Sequence, residues 1–205
     1  DHWQSRGLGD VYKRQVVDQP GGARKQITFF DEPVGSMSRQ PDGTLIAFTM
    51  DVGGSEHAQI LLLNPENGSS TMLSDGNSRH GSPLWDKTGE HIAFMSNRRN
   101  GASNDVWTMP IDNPNQAEMV LESPDGTWWG PIDWSNDGKH LLIQNYISIT
   151  NSKVYLVDLE TKDKTLILGN LAEPSVNSGL AFDATNTGVF FTTDTFAEFN
   201  QLAHK

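Results

Sequence analysis

A turn flanked by two short apolar runs recurs along the chain. Three copies cover Arg39–Phe48, Trp85–Phe94 and Trp134–Ile143, and a degenerate fourth covers Phe182–Phe191. The glycines of the three intact turns lie 46 and 49 residues apart, a period typical of a four-stranded propeller blade. Glycine tolerates the positive φ of a tight turn, so each copy predicts a β-hairpin. We call its two strands A and B.

Each repeat continues with two further short β-rich runs, which predict strands C and D. The predicted C strands are Gln59–Leu63, Asp105–Met109 and Val154–Asp158, and the predicted D strands are Thr71–Leu73, Met119–Leu121 and Thr165–Leu168. Runs of this length rich in Val, Ile, Leu and aromatic residues indicate strands. No window keeps a helical period of 3.6 residues. The pattern therefore predicts an all-β fold, a partial β-propeller of about three four-stranded blades.

The ends of the chain predict incomplete blades. Lys25–Phe29 resembles the D strand of a preceding blade, and Glu198–Leu202 resembles the C strand of a fourth blade. Propellers usually close with about 4–8 blades. We therefore expect a fragment with two exposed apolar blade faces, which aggregates or folds poorly by itself.

The first fifteen residues stand apart from the repeat. Ser5–Gln15 is similar to the translation of a transposase-based sequencing adapter, whose end encodes Asp-Val-Tyr-Lys-Arg-Gln. We expect residues 1–15 to be a non-native segment and residues 16–205 to form the incomplete propeller domain. The natural N-terminus would then be missing, which leaves a periplasmic, secreted or cytoplasmic location open.

The repeats resemble the WD-like Ser-Pro-Asp-Gly propeller repeats of TolB and of the prolyl oligopeptidase family. Trp134–Gly138 and Pro41–Gly43 match the turn of that motif, Ser96–Gly101 matches its loop, and Val154–Asp158 matches its third strand. The resemblance extends over residues 25–205. In the peptidase family it implies a propeller that precedes an α/β-hydrolase domain and restricts substrate access to a Ser-Asp-His triad.

Composition excludes several classes of function. The net charge of −11 argues against nucleic-acid binding, because phosphates attract surfaces rich in Lys and Arg. The chain has no cysteine, so disulfides and thiol chemistry are absent. No apolar run approaches the ~20 residues that a membrane-spanning helix needs.

The sequence predicts no catalytic residue, no metal site and no cofactor. A serine hydrolase needs Gly-x-Ser-x-Gly, and the nearest match, Gly101–Asp105, lacks the second glycine and lies in a B–C loop. His91 and His140 occupy the same position in successive repeats, which favours a structural role over zinc binding. No calcium loop of the Asp-x-Asp-x-Asp-Gly type is present. If the parent protein is a peptidase, we expect its triad beyond Lys205.

Six residues in the predicted B–C and D–A loops are candidates for contact with a ligand or with another domain. They are Glu56, His57, Arg98, Arg99, Trp128 and Trp129. Strands alternate in direction, so these loops share one face of the disc, and loops on a rigid scaffold commonly carry function. Arginine pairs well with carboxylates, although these arginines also fit a solvated turn. The tryptophans equally suit packing between blades.

Two functions fit these observations. The chain is either the substrate-gating propeller of a prolyl-oligopeptidase-like serine peptidase or a TolB-like protein-binding module without a hydrolase. The first implies a C-terminal hydrolase domain and a peptide substrate as partners, and the second implies a protein partner. A Gly-x-Ser-x-Gly motif downstream of Lys205 would select the first.

Overall fold

The chain folds into a row of antiparallel β-sheets. A computed structural model describes residues 13–17, 19–41 and 43–205. Most of the predicted non-native segment, residues 1–12, and Asp42 of the first turn lie outside the described residues. The strands are β1 (Gln15–Val17), β2 (Arg24–Gln26), β3 (Val34–Arg39), β4 (Ile46–Met50), β5 (Gln59–Leu63), β6 (Ser70–Met72), β7 (His80–Trp85), β8 (His91–Ser96), β9 (Asp105–Pro110), β10 (Glu118–Leu121), β11 (Trp128–Trp134), β12 (His140–Ser148), β13 (Asn151–Asp158), β14 (Lys164–Leu168), β15 (Asn177–Phe182), β16 (Val189–Thr193) and β17 (Gln201–His204).

Three of the sheets have four strands in chain order, and we call them blades 1 to 3: β3–β6, β7–β10 and β11–β14. Strands β15–β17 form a three-stranded blade 4, and β1–β2 form a separate hairpin. The first strands of successive blades contact each other, as in a propeller. The predicted all-β partial propeller is thus confirmed. The one helix in the described part is a 3₁₀ turn, Pro114–Gln116, and no helix there is long and apolar enough to span a membrane.

The strands at the two ends differ from their predicted bounds. The strand predicted at Lys25–Phe29 is β2, which ends at Gln26 because Ile27 and Phe30 pack onto blade 1 instead. The strand predicted at Glu198–Leu202 is β17, which begins at Gln201. This strand begins later than predicted because a turn precedes it, in which the Ala197 N–H donates a hydrogen bond to the Asp194 carbonyl oxygen.

Alternation along the second strand of each blade holds neighbouring blades together. In β8, Ile92 and Phe94 pack in a cluster shared with blade 1, whereas Ala93 packs in a cluster shared with blade 3. Successive residues of a strand point to opposite sheet faces. Ala47 and Leu142, at the position equivalent to Ala93, are likewise fully buried against the following blade. Each apolar run is therefore buried on both faces.

The tryptophan that ends the first strand of a blade also binds the preceding blade. Trp85 Nε1 donates a hydrogen bond of 2.9 Å to the Ser38 carbonyl, and Trp134 Nε1 donates one of 3.2 Å to the Leu84 carbonyl. Blade 4 has Phe182 at this position, which lacks an indole N–H. There, Asp133 of blade 3 accepts the Phe182 backbone N–H at 2.9 Å.

The two outermost blade faces differ. On blade 1, Phe30 stacks on Phe48 with ring centroids 5.3 Å apart, and Ile27 packs beside it. This face was predicted to be exposed, but the segment after β2 covers it. On blade 4, Leu180 is 47% exposed, Phe190 43% and Leu202 70%. Phe190 occupies the position that is fully buried in the other blades, so this face is open and apolar.

Residues at the end of the predicted non-native segment contact the covered face. Lys13 Nζ donates to the Phe30 carbonyl, the Arg14 N–H donates to Thr28 Oγ1 at 2.8 Å, and Arg14 Nη2 donates to the Val34 carbonyl at 3.0 Å. The non-native origin of residues 1–15 remains a prediction.

Trp134 provides a test of the contact between blades. Replacing it with alanine should lower the free energy of unfolding by about 3–5 kcal/mol, because its side chain lies in the cluster shared by blades 2 and 3. Trp134→Phe keeps most of the apolar contact and loses the hydrogen bond to Leu84, so it should cost about 1 kcal/mol. Urea denaturation measures both, and an alanine variant as stable as the phenylalanine variant would contradict the assignment.

The open face of blade 4 should cause the isolated chain to self-associate, because contiguous exposed apolar surface drives association. We expect Phe190→Ser with Leu202→Ser to raise the monomer fraction in sedimentation-velocity runs. Phe191→Ser is the control, because Phe191 is only 5% exposed and its loss should unfold blade 4. A wild-type chain that stays monomeric and melts cooperatively would overturn this prediction.

Candidate functional site

The loops between the second and third strands of each blade and the crossovers between blades share one end of the sheets. Neighbouring strands are antiparallel throughout, so these segments lie together, and the Asp-Gly turns lie at the opposite end. We call this end the loop face. Its B–C loops are residues 51–58, 97–104, 149–150 and 194–200, and its crossovers are residues 73–79, 122–127 and 169–176.

The blade 1 loop presents Glu56 and His57 on the surface. The Asp51 carboxylate accepts hydrogen bonds from Ser55 Oγ at 2.8 Å and from the Glu56 N–H at 2.9 Å. These hydrogen bonds lower the pKa of Asp51. They also hold Glu56 at a φ of +59°, a conformation that non-glycine residues seldom adopt. His57 Nδ1 lies 2.6 Å from the Asn77 carbonyl oxygen of the next crossover.

The two arginines of the blade 2 loop have different environments. Arg99 donates to both oxygens of Asp105, at 2.7 and 3.0 Å, and also pairs with Glu122 at 3.0 Å. Asp105 is fully buried and accepts the Ser123 N–H at 2.8 Å, so Arg99 neutralises a buried charge. Arg98 lies 4.8 Å above the Trp107 ring, with its Nε 4.0 Å from Asp75. Its guanidinium is therefore the less tightly held of the two.

The crossover from blade 1 to blade 2 brings these two loops together. Within this crossover, the Ser78 carbonyl oxygen accepts a hydrogen bond of 2.7 Å from Gln59 Nε2. The Arg79 N–H donates to Asn97 Oδ1 at 2.8 Å, and the Asn97 N–H donates back to the Arg79 carbonyl at 3.1 Å. With Asn77 bound to His57, this crossover connects the Glu56–His57 pair to the Arg98–Arg99 pair.

The two candidate tryptophans, Trp128 and Trp129, have different environments. Trp129 is 1% exposed, where the sequence suggested a residue that could reach a ligand. Its ring lies 5.0 Å from that of Tyr155, and its Nε1 donates to Asp125 at 3.2 Å. The alternative use, packing between blades, is the one that the structure shows. Trp128 is partly exposed at the start of β11.

Sequence reasoning missed several polar residues that build the loop face. Asp75, Gln59 and Asp105 accept backbone N–H groups of the crossovers, those of Ser78, Gly76 and Ser123 respectively. Gln59 and Asp105 both open the third strand of their blade. A polar residue that opens the third strand in both blades is the sequence pattern from which this role could have been predicted. In the described part of the chain, no three His, Cys, Asp or Glu side chains form a metal-binding group.

Blade 3 adds a projecting feature to the loop face. Its second and third strands, β12 and β13, are the longest in the described chain, and only Ile149 and Thr150 join them. Ile149 at the tip is 79% exposed, and Tyr146 nearby is 46% exposed. The hairpin therefore presents an apolar tip beside the polar loops of blades 1 and 2.

Comparison with protein families gives one match over most of the chain. Residues 28–203 match the family described as the prolyl oligopeptidase N-terminal β-propeller domain. A search of curated protein sequences gave no significant match.

Solved structures with a similar fold include both a prolyl endopeptidase and proteins named TolB. A prolyl endopeptidase structure, from a study of inter-domain dynamics in catalysis and specificity, matches with a TM-score of 0.71 and 16% identity. TolB from Acinetobacter baumannii matches with a TM-score of 0.71 and 15% identity, and a putative TolB from Agrobacterium tumefaciens with 0.59 and 19%. The matches cover 93%, 94% and 72% of this chain, but only 30%, 46% and 53% of theirs.

Substitutions at the loop face should separate scaffold residues from accessible ones. Arg99→Ala should lower the melting temperature by several degrees, because it leaves the buried Asp105 carboxylate without its partner. Asp105→Ala should cost about 1–3 kcal/mol, since the buried Ser123 N–H loses its acceptor. Arg98→Ala is the matched control, and it should change stability little. Equal melting temperatures for the two arginine variants would refute this division.

Proposed function

The chain belongs to the prolyl oligopeptidase N-terminal β-propeller family, and from this membership we propose that it is the substrate-gating part of a prolyl-oligopeptidase-like serine peptidase. The match over residues 28–203 is the observation that carries the proposal. Catalysis would belong to an α/β-hydrolase domain of the parent protein, with its Ser-Asp-His triad. The propeller would admit peptides and exclude folded proteins.

The loop face is the surface that we assign to this role. Glu56, His57 and Arg98 are exposed, so their side chains are accessible to a peptide or to the hydrolase domain. Arg98 suits a peptide carboxylate, because a guanidinium offers paired donors. The apolar tip with Tyr146 and Ile149 suits a contact with the neighbouring domain, since aromatic and aliphatic anchors dominate interfaces.

A TolB-like binding module is the second candidate. The TolB structure from Acinetobacter baumannii and the prolyl endopeptidase both give a TM-score of 0.71, so fold similarity supports the two equally. In this alternative, the same loop face would bind a protein, and no hydrolase would be involved. The family match favours the peptidase.

The full natural gene decides between the two candidates. We expect it to encode a Gly-x-Ser-x-Gly motif followed by Asp and His beyond the propeller. The purified protein should react with a fluorophosphonate probe, and it should cleave short peptides but not folded proteins. A protein that closes its propeller, ends there and ignores the probe would support the binding module instead.

The role of the loop face is tested in the same full-length protein. Arg98→Ala should raise KM for a short peptide about tenfold, the equivalent of losing one charge-assisted hydrogen bond, without changing the melting temperature. Lys139→Ala is the control, because Lys139 is exposed beside the turn at the opposite end of blade 3. Unchanged kinetics for Arg98→Ala, His57→Ala and Glu56→Ala together would remove the loop face from the proposal.

A further inference from the structure

His80 occupies a repeated position at which the other blades have a side chain that does not titrate. Five positions before the end of its first strand, each blade has a buried residue: Val34, His80, Trp129 and Asn177. Trp129 donates its ring N–H to Asp125 of the crossover before it at 3.2 Å. His80 contacts the crossover before it in the same way, with Nε2 3.1 Å from Asp75 Oδ1. Among these four residues, only the imidazole can gain a proton near neutral pH.

The position of His80 suits the neutral imidazole. An ionised carboxylate is only an acceptor, so Nε2 carries the proton that is shared with Asp75. Nδ1 is buried and has no hydrogen-bond partner among the described residues, and the Phe94 ring lies 5.8 Å from the imidazole. Protonation would place a second N–H at Nδ1, where the described residues offer no acceptor. Leaving a charged donor buried and unpaired is costly.

The charged groups around His80 do not remove this cost. Burial has the largest effect and lowers the pKa of His80, Asp75 works to raise it, and Arg98 lowers it further. Burial works to raise the pKa of Asp75 itself, but hydrogen bonds from Ser78, Asn77 and His80 outweigh it and hold that pKa well below its usual range. Asp75 thus stays ionised in mild acid, and the imidazole is the group that changes.

His80 lies where the first two blades are joined. Its N–H donates to the Ala58 carbonyl of blade 1 at 2.8 Å, and its ring holds Asp75 of the same crossover. That crossover binds His57 through Asn77 and pairs with Asn97 of the blade 2 loop. Any strain at His80 therefore reaches both loops that contain the accessible candidate residues.

We propose that His80 is an acid-sensitive latch, whose protonation releases residues 75–80, the end of the crossover and the start of β7, and separates the blade 1 and blade 2 loops on the loop face. The folded chain binds the proton less well than the opened one. The closed state of the crossover is therefore fully stabilised above the unperturbed histidine pKa of about 6.5, and this stabilisation is lost as the pH falls below that value. The opening equilibrium should rise at most about tenfold between pH 7.5 and pH 5.5.

Amide hydrogen exchange of the whole 205-residue chain tests the latch, at matched chemical exchange and at concentrations where the chain is monomeric. Residues 75–80 should open several-fold more at pH 5.5 than at pH 7.5, and residues 140–158 of blade 3 should not. His80→Gln keeps an N–H donor for Asp75 and should abolish the pH effect. His91→Gln is the control, because His91 is exposed, and it should leave the effect unchanged.

Three results would overturn the proposal: no pH effect at residues 75–80, the same effect in His80→Gln, or an equal effect in blade 3. If His80→Gln does not fold, His80→Trp decides the question, because tryptophan at the equivalent position of blade 3 donates its ring N–H to the preceding crossover. An indole does not gain a proton in this pH range, so the pH effect should vanish. An effect as large as in the wild type would then refute the latch.

Discussion

Every blade of this chain depends on its neighbours for burial of its second strand. Successive residues of that strand face opposite sides of a single sheet, and both sides are apolar, as with Ile92 and Ala93. A lone sheet can shield neither side, so the core exists only where two blades meet. Stability in such an array is shared between adjacent units, with few contacts beyond them.

Polar contacts between blades fix how one blade is positioned along the next, which apolar packing alone does not determine. The indoles of Trp85 and Trp134 donate to backbone carbonyls of the preceding blade, which fixes how one first strand slides past the next. Between blades 3 and 4, the Asp133 carboxylate accepts a hydrogen bond from the Phe182 backbone N–H instead. Lys87 of blade 2 donates to the same carboxylate. One aspartate thus links three consecutive blades.

The loop face has to join the blades and also remain available for binding. Asp105, Asp75 and Arg99 serve the first purpose, because the two carboxylates accept backbone N–H groups of the crossovers and Arg99 pairs with the buried Asp105. What remains for a ligand or a second domain is a small accessible set, chiefly Glu56, His57 and Arg98. Because the crossover that His80 holds contacts His57 through Asn77 and Arg98 through Asp75, protonation of His80 would alter scaffold and binding surface together.

The repeat period, the hairpin turns and most third and fourth strands could be predicted from the sequence, because turn residues and β-rich runs are local signals. The family resemblance rested on the same short motifs. The roles of individual loop residues could not be predicted, since Arg98 and Arg99 are adjacent and equivalent in sequence. Only the packed structure places Arg99 against a buried aspartate, buries Trp129 and leaves His80 with an unpaired nitrogen. Packing between blades joins residues up to 50 positions apart, and strand propensity carries no information about such distant partners. The pairing of Arg99 with Asp105 is local in sequence, but it depends on the conformation of the loop between them, which the residue types alone do not determine.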